Sequence, residues 1–319
     1  MRTISALSFR HEECAAFTYA AQDNSTSTDL RRVLYAGESA PGVSHLASMS
    51  APARRYPDVK IGAAWVSMIE PELGHEASFN RWYSDDHFYA GGMCLPGIFS
   101  GRRWVATKEL RALRHADSDD LANHGCYLHT NLFSRHQLED VNTALSTTLQ
   151  YLGKEGRMYP TEIPRRHLYT AIVPYETVVY RELGEGPLDI HALDYPFAGV
   201  VLELIDADKE HTRTELLEWL QAEFVPRRIA QNSAYMCLIF KHADLPAIIK
   251  SPRLPAAYEN GDARVVLLWF LESDPRLVWE KEFSGHADEV RSSGIGNLAF
   301  VGPFIPTVPG TNRYVDELR

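Results

Sequence analysis

What limits this chain most is the order of its apolar segments after Lys60. Ile61 to Ile69 (IGAAWVSMI) is an apolar run of strand length, broken by Pro71 and Gly74. Phe79, Trp82, Tyr83, Asp86 and His87 then recur at the spacing of one helix face. Gly91-Gly92 should loosen that helix, and Pro96-Gly97 should turn the chain. Ile98 to Ala106 alternates as a second strand. Lys108 to Asn123 reads as a polar connection with one helical turn at Glu109 to Leu113, and Cys126 to Phe133 (CYLHTNLF) as a third strand. Ser134 is placed to cap a helix carrying Leu138, Val141, Leu145, Leu149 and Leu152 on one stripe. A fourth strand follows at His167 to Val173, with Val178 to Arg181 prolonging it or opening a hairpin. The order is β-α-β-β-α-β, the split βαβ or ferredoxin-like unit.

The same order then repeats. Phe197 to Ile205 is a strand, and Glu215 to Ala230 is a helix with Leu216, Trp219, Leu220 and Phe224 on one stripe. Tyr235 to Phe240 is a strand, Pro246 to Asn260 a connection broken by proline, and Arg264 to Leu271 (RVVLLWFL) a strand. Pro275 opens a helix that should run to Arg291. Leu298 to Phe304 is the last strand, before a Pro-rich tail. Laid side by side, FNRWYSDDHF and LLEWLQAEFV place Trp82 opposite Trp219 and His87 opposite Phe224, which favours duplication. The predicted fold class is α+β, with one ferredoxin-like unit over residues 59–190 and a second, with the tail, over 191–319. Residues 1–58 are rich in Ser, Ala, Gly and Pro, hold no sustained period, and read as a poorly ordered N-terminal arm.

Composition narrows the partners. The formal charge is −10, with 42 acidic against 32 basic residues, so a nucleic-acid partner is not expected. No run approaches the roughly 18 apolar residues of a membrane helix, and Met1 to Cys14 lacks the apolar stretch of a secretion signal. The four cysteines, Cys14, Cys94, Cys126 and Cys237, form no C-x-x-C pair. Their wide spacing suggests neither a zinc site nor a disulfide framework, and a reduced, cytoplasmic setting is the simplest reading.

Phe79 to Val105 carries Trp82-Tyr83, Asp85-Asp86-His87, Pro96-Gly97 and Arg102-Arg103-Trp104. This stretch resembles the dimeric α/β barrel superfamily, and its EthD-like branch most. The motif covers about a tenth of the chain, and the element order extends the resemblance over residues 60–305. The resemblance implies two four-stranded antiparallel sheets packed face to face as a barrel, with helices outside. Most members achieve this by dimerising; here both units lie in one chain, so the barrel can be an intramolecular dimer, and a further homodimer stays open. The superfamily includes cofactor-independent oxygenases, cyclases, isomerases and haem-binding enzymes, so the fold does not name the chemistry.

His87 is the leading candidate for a catalytic base. It should face the sheet, beside Asp85 and Asp86, and its ordinary pKa lies near neutrality. The equivalent position in the second helix is Phe224, so only the first half would carry an imidazole. Arg103 and Tyr83 are the candidates for holding an oxyanion. Trp82, Asp86, Tyr89, Trp104 and His129 are candidate substrate contacts. Tyr127, His129 and Asn131 share one strand face, which the barrel interior would accommodate. No histidine or carboxylate spacing marks a metal site, so no metal is expected, and no cofactor either; haem stays open because one axial histidine suffices, His87 or His129. The first reading is an enzyme that abstracts a proton from an apolar aromatic or polyketide-like compound, as a cyclase, isomerase or cofactor-independent monooxygenase. The second is a ligand-binding barrel without catalysis, and the third a haem-binding member.

Overall fold

Strands form where the sequence offers unbroken or alternating apolar runs, and helices where it offers a stripe. A computed structural model describes residues 59–135, 138–157, 160, 162–182, 186–243 and 261–319. The first half runs β1 (Ile61–Pro71), α1 (Glu76–Trp82), β2 (Ile98–Val105), α2 (Lys108–Arg111), β3 (His115–Ala116), α3 (Asp119–Asn123), β4 (Tyr127–Ser134), α4 (Leu138–Lys154) and β5 (Arg165–Tyr180). The second runs β6 (Gly199–Ala207), α5 (Arg213–Trp219), α6 (Val225–Ile229), β7 (Ala234–Lys241), β8 (Arg264–Leu271), α7 (Pro275–Glu282), α8 (His286–Ser293) and β9 (Gly296–Pro306). The expected arm at 1–58 and the connection at Pro246–Asn260 lie outside the described residues.

Each half shows the expected β-α-β-β-α-β order, with short elements added. Hydrogen bonding arranges the strands β2-β4-β1-β5-β7-β8-β6-β9, and β9 pairs again with β2. Eight antiparallel strands therefore close on themselves, and β3 adds a two-residue pairing to β9. The first half contributes β5-β1-β4-β2 and the second β9-β6-β8-β7, the same order of first, second, third and fourth strand in each. The seams differ. β5 and β7 pair from Tyr175↔Phe240 to Tyr180↔Met236 with a bulge between Tyr175 and Thr177, whereas β2 and β9 meet only at Trp104↔Pro306 and Val105↔Ile305.

The ring's interior is filled. Val200, Leu202 and Leu204 of β6 and Val266, Leu268 and Phe270 of β8 join one buried cluster with Val66 and Met68 of β1 and Leu128 of β4. Trp104 of β2 reaches Phe270 across it, with ring centroids 6.1 Å apart. The alternate residues Val201, Ile205, Leu267 and Trp269 pack outward against Leu216, Leu220, Phe224 and Phe283. β8 is buried on both faces, which explains its continuous apolar run. The inward-facing side chains pack the part of the interior they occupy.

Several local expectations change. Gly91-Gly92 lie in a wider, π-helical stretch, Tyr89–Met93, that continues the helical run beyond π-helical Tyr83–His87. Ser134 is the last residue of β4 and not a cap. β5 is one strand of 16 residues. The polar connection at Lys108–Asn123 holds α2, α3 and β3, and the last long helix is broken at Phe283–Gly285 into α7 and α8. The tail is tied down: Leu318 is buried, and the Arg319 side chain bonds to Glu70 and Glu76 at 2.6 Å each. No described helix is long and apolar enough to cross a membrane.

Candidate functional site

The two halves share a helix geometry and diverge in what it carries. Trp82 precedes a π-helical turn, Tyr83–His87, and Trp219 precedes another, Leu220–Phe224. In the first, Trp82 stacks on His87 with centroids 4.4 Å apart; in the second, Trp219 stacks on Phe224 at 5.1 Å. A π-turn adds one residue to the turn and re-aims the side chains after it, and such turns are common at functional sites. Here it lays position 87 along the tryptophan face in one half and position 224 in the other. One position is an imidazole and the other a phenyl ring.

Around His87 the helix-facing side of the first sheet is polar. Tyr83 lies edge-on to His87 and His129, with centroids 5.0 and 5.4 Å away. Burial raises the Tyr83 phenol above its ordinary range, so it stays protonated and donates to His129 Nδ1 at 2.7 Å. Burial, reinforced by Arg103, holds His129 down to about 3, although Asn131 beside it works the other way. Burial likewise holds His87 well below its ordinary pKa, with Arg165, His129, His167 and Arg103 adding to the effect. Both imidazoles are neutral at physiological pH; the Nδ1 of His129 is engaged by Tyr83, whereas that of His87 has no partner. Tyr127, His129 and Asn131 do share a face, but it is this outer one and not the barrel interior.

Arg103 is paired with His129 across β2 and β4 and points to the same side. It is 6% exposed, and its Nη1 donates to Asn80 Oδ1 at 3.2 Å and to Ser84 Oγ. Its guanidinium lies over the rings of Tyr83 and Tyr127, 4.8 and 5.2 Å from their centroids. Its Nη2 has no partner, and no described carboxylate forms an ion pair with it. A buried charge without an acid is costly, and the free N–H is a ready donor to an anion. Arg103 also borders an open cleft of about 230 Å³, with Ser84, Phe88, Tyr89, Arg102, Thr307 and Pro309. Gly101 lines the same cleft, and a side chain there would strike Asn131, Met93 and Phe88.

The predicted site residues thus separate into three groups. Arg103 and the half-exposed Tyr89 line the cleft. Tyr83, His87, His129 and Trp82 form the adjoining stack, with Arg165 over the Trp82 ring at 4.2 Å. Trp104 and Asp86 belong to neither: Trp104 is fully buried in the ring and donates to Thr130 Oγ1, and Asp86 pairs with Arg157. Asp85 pairs with Arg81, so neither neighbouring aspartate orients His87. Sequence reasoning missed Ser84, Phe88 and Asn80. Asn80 carried one signal, since its counterpart in the second helix is an apolar residue, Leu217.

Haem, left open by the resemblance, does not fit His87, His129 or His286 as they are packed here. The His87 ring is covered by Trp82 and abutted by Gly91. His129 is enclosed by Tyr83, Phe88 and Trp65. His286 of the second half is wholly buried among Phe224, Trp269 and Phe283, its Nδ1 2.5 Å from Glu203 Oε1. A macrocycle on any of them would displace packed rings. Among the described residues no three His, Cys, Asp or Glu side chains converge to hold a metal.

No family model and no curated protein matches the chain. Solved structures do. A provisionally assigned monooxygenase from Fusobacterium nucleatum is 10% identical with a TM-score of 0.46, over 78% of this chain and 94% of that one. An anthrone oxidase-like protein is 8% identical with a TM-score of 0.43, over 78% and 92%. The encapsulated DyP-type peroxidase from Mycobacterium smegmatis is 13% identical with a TM-score of 0.38, over 82% and 95%. At these identities and TM-scores the likenesses assign no activity to this chain.

Proposed function

We propose that this chain is a cofactor-independent, EthD-like enzyme of small molecules, descended by tandem duplication and folded as an intramolecular dimeric α/β barrel. Its substrate is a compact aromatic compound bearing an oxyanion or an enolisable carbonyl. The substrate oxygen sits on Arg103, and the neutral imidazole of His87 takes the proton, leading to isomerisation, cyclisation or oxygenation. The observation that carries the reading is Arg103, a buried guanidinium with a free N–H at a cleft and no described carboxylate in an ion pair with it. Phe88 and the Tyr89 ring supply apolar walls for a flat molecule. The cleft, about 230 Å³, is smaller than the roughly 300–1,000 Å³ of sites for drug-sized ligands, which favours one or two rings over a long polyketide.

The test offers the full chain a panel of phenols, quinols and β-dicarbonyl compounds, with oxygen uptake and product mass as readouts. His87→Phe copies the second half's own solution and should fold. It is expected to keep binding and to lose about a hundredfold or more of turnover, the usual worth of a general base. Arg103→Met is expected to lose binding. Undiminished turnover in folded His87→Phe overturns the base. Since His87 does not itself line the cleft, a second reading has support: a carrier that binds through Arg103 and converts nothing. Binding without turnover in the wild type selects it.

A further inference from the structure

Asn80 is 3% exposed and uses its carboxamide in two directions. Its Oδ1 accepts from Arg103 Nη1 at 3.2 Å. Its Nδ2 donates to Thr311 O at 2.7 Å and to Asn312 Oδ1 at 3.0 Å. The segment it grips begins on the same arginine: Thr307 N and Oγ1 both donate to the Arg103 carbonyl, at 3.1 and 3.2 Å. Between these anchors the chain turns through Gly310 at φ +73°, with Thr311 N bonded to Val308 O at 3.2 Å. Arg81, the next residue of the same helix, donates to Gly310 O. Thr307 and Pro309 form a wall of the cleft. The arginine's backbone, its guanidinium and this wall are thus one hydrogen-bonded unit, with Asn80 at the joint.

A merely structural role would not need the amide. In the second helix Leu217 fills the matching position and is equally buried. A buried carboxamide is retained at a cost unless its bonds are used. We propose that Asn80 is a positioning residue that couples the Arg103 guanidinium to the Thr307–Asn312 wall, so that an anion on Arg103 and the setting of the wall control each other. This rests on Arg103 being the anion holder. Its consequence is for specificity: the wall sets which ring fits beside the oxyanion, and the oxyanion fixes the wall.

The test uses the full chain and needs no known substrate. Phenylglyoxal labelling of Arg103, followed by peptide mass, reports how firmly the guanidinium is held. Hydrogen exchange at Thr311 reports the wall. Asn80→Ala is expected to raise both rates together, Arg103 labelling by about tenfold, the worth of one hydrogen bond to a charged group, and Thr311 exchange by about fivefold, the worth of a neutral one. Asn80→Asp can still accept from Arg103 but cannot donate to Thr311, so labelling should slow while exchange rises. If Asn80→Ala fails to fold, Asn312→Ala at the exposed end of the joint should raise both rates by a smaller factor. A variant that loosens the wall and leaves Arg103 labelling unchanged overturns the coupling. Benzoate serves as the anion probe: protection of Arg103 in the wild type, with Thr311 exchange unaffected, also overturns it. Failure of every compound to bind would instead sink the enzyme reading and leave the coupling measurable.

Discussion

Arg103 concentrates the energetics of the first half. Its burial among Asn80, Ser84 and two phenol rings is stabilising only in part, since Nη2 stays unpaired. Arg103→Met should nonetheless cost about 1–3 kcal/mol, because it leaves the buried Asn80 Oδ1 and Ser84 Oγ without their donor. Chemical denaturation checks this; a variant as stable as the wild type would mean that removing the buried charge offsets those lost bonds. The neutral imidazoles make a second prediction at this scale. His129 and His167 are both held down to about 3, each mainly by burial, against an ordinary value of 6.5. Between these values the unfolded chain binds more protons than the folded one. Stability is thus complete above about pH 6.5 and declines as pH falls toward 3, by about 1.4 kcal/mol per pH unit for each such imidazole. Denaturation midpoints at pH 7 and pH 5 should show the decline, and His129→Gln should flatten it. A flat wild-type profile would refute the burial of these rings.

At the scale of elements, the π-turns bring the first helix onto its sheet, and glycine makes room for them. A Cβ on Gly101 would lie 2.2 Å from Asn131 Nδ2 and 2.4 Å from Met93 Sδ. Gly101→Ala should cost about 1–3 kcal/mol, as overpacked cores do, and should narrow the cleft that Gly101 lines. Thermal unfolding with a binding probe measures both, and an unaltered melting temperature would show that Met93 yields freely. The Trp-before-π arrangement recurs in the second half without its glycines, where Phe224 and Leu220 supply apolar fillers in place of His87 and Tyr83. The same backbone device thus serves a polar face in one half and a packed core in the other.

For the whole molecule, the closed ring has one long seam and one short one. The β2–β9 seam spans two residue pairs, and Pro306 has no N–H to give it. Hydrogen exchange at Val105 and Ile305 should outpace exchange in β6 and β8, because local opening follows the weakest pairing. Equal protection would mean that side chains such as Trp104 and Phe270 hold the seam without the ladder. Since Arg103 and Thr307 flank this seam, its opening would also move the cleft wall.

The element order could be read from the chain because it depends on local chemistry. RVVLLWFL at β8 and the stripe of Leu216, Trp219 and Leu220 state their conformation through period alone. So did the pairing of Trp82 with Trp219 and the contrast of His87 with Phe224. Which face of a strand meets which neighbour is set by pairing between distant segments, and no local period carries that information. This is why His129 and Asn131 face the helices, why Trp104 fills the ring, and why Asp86 turns to Arg157 and away from His87. The cleft has the same origin: Arg103 meets Asn80, Ser84 and Thr307 only after β2, α1 and the segment beyond β9 have converged.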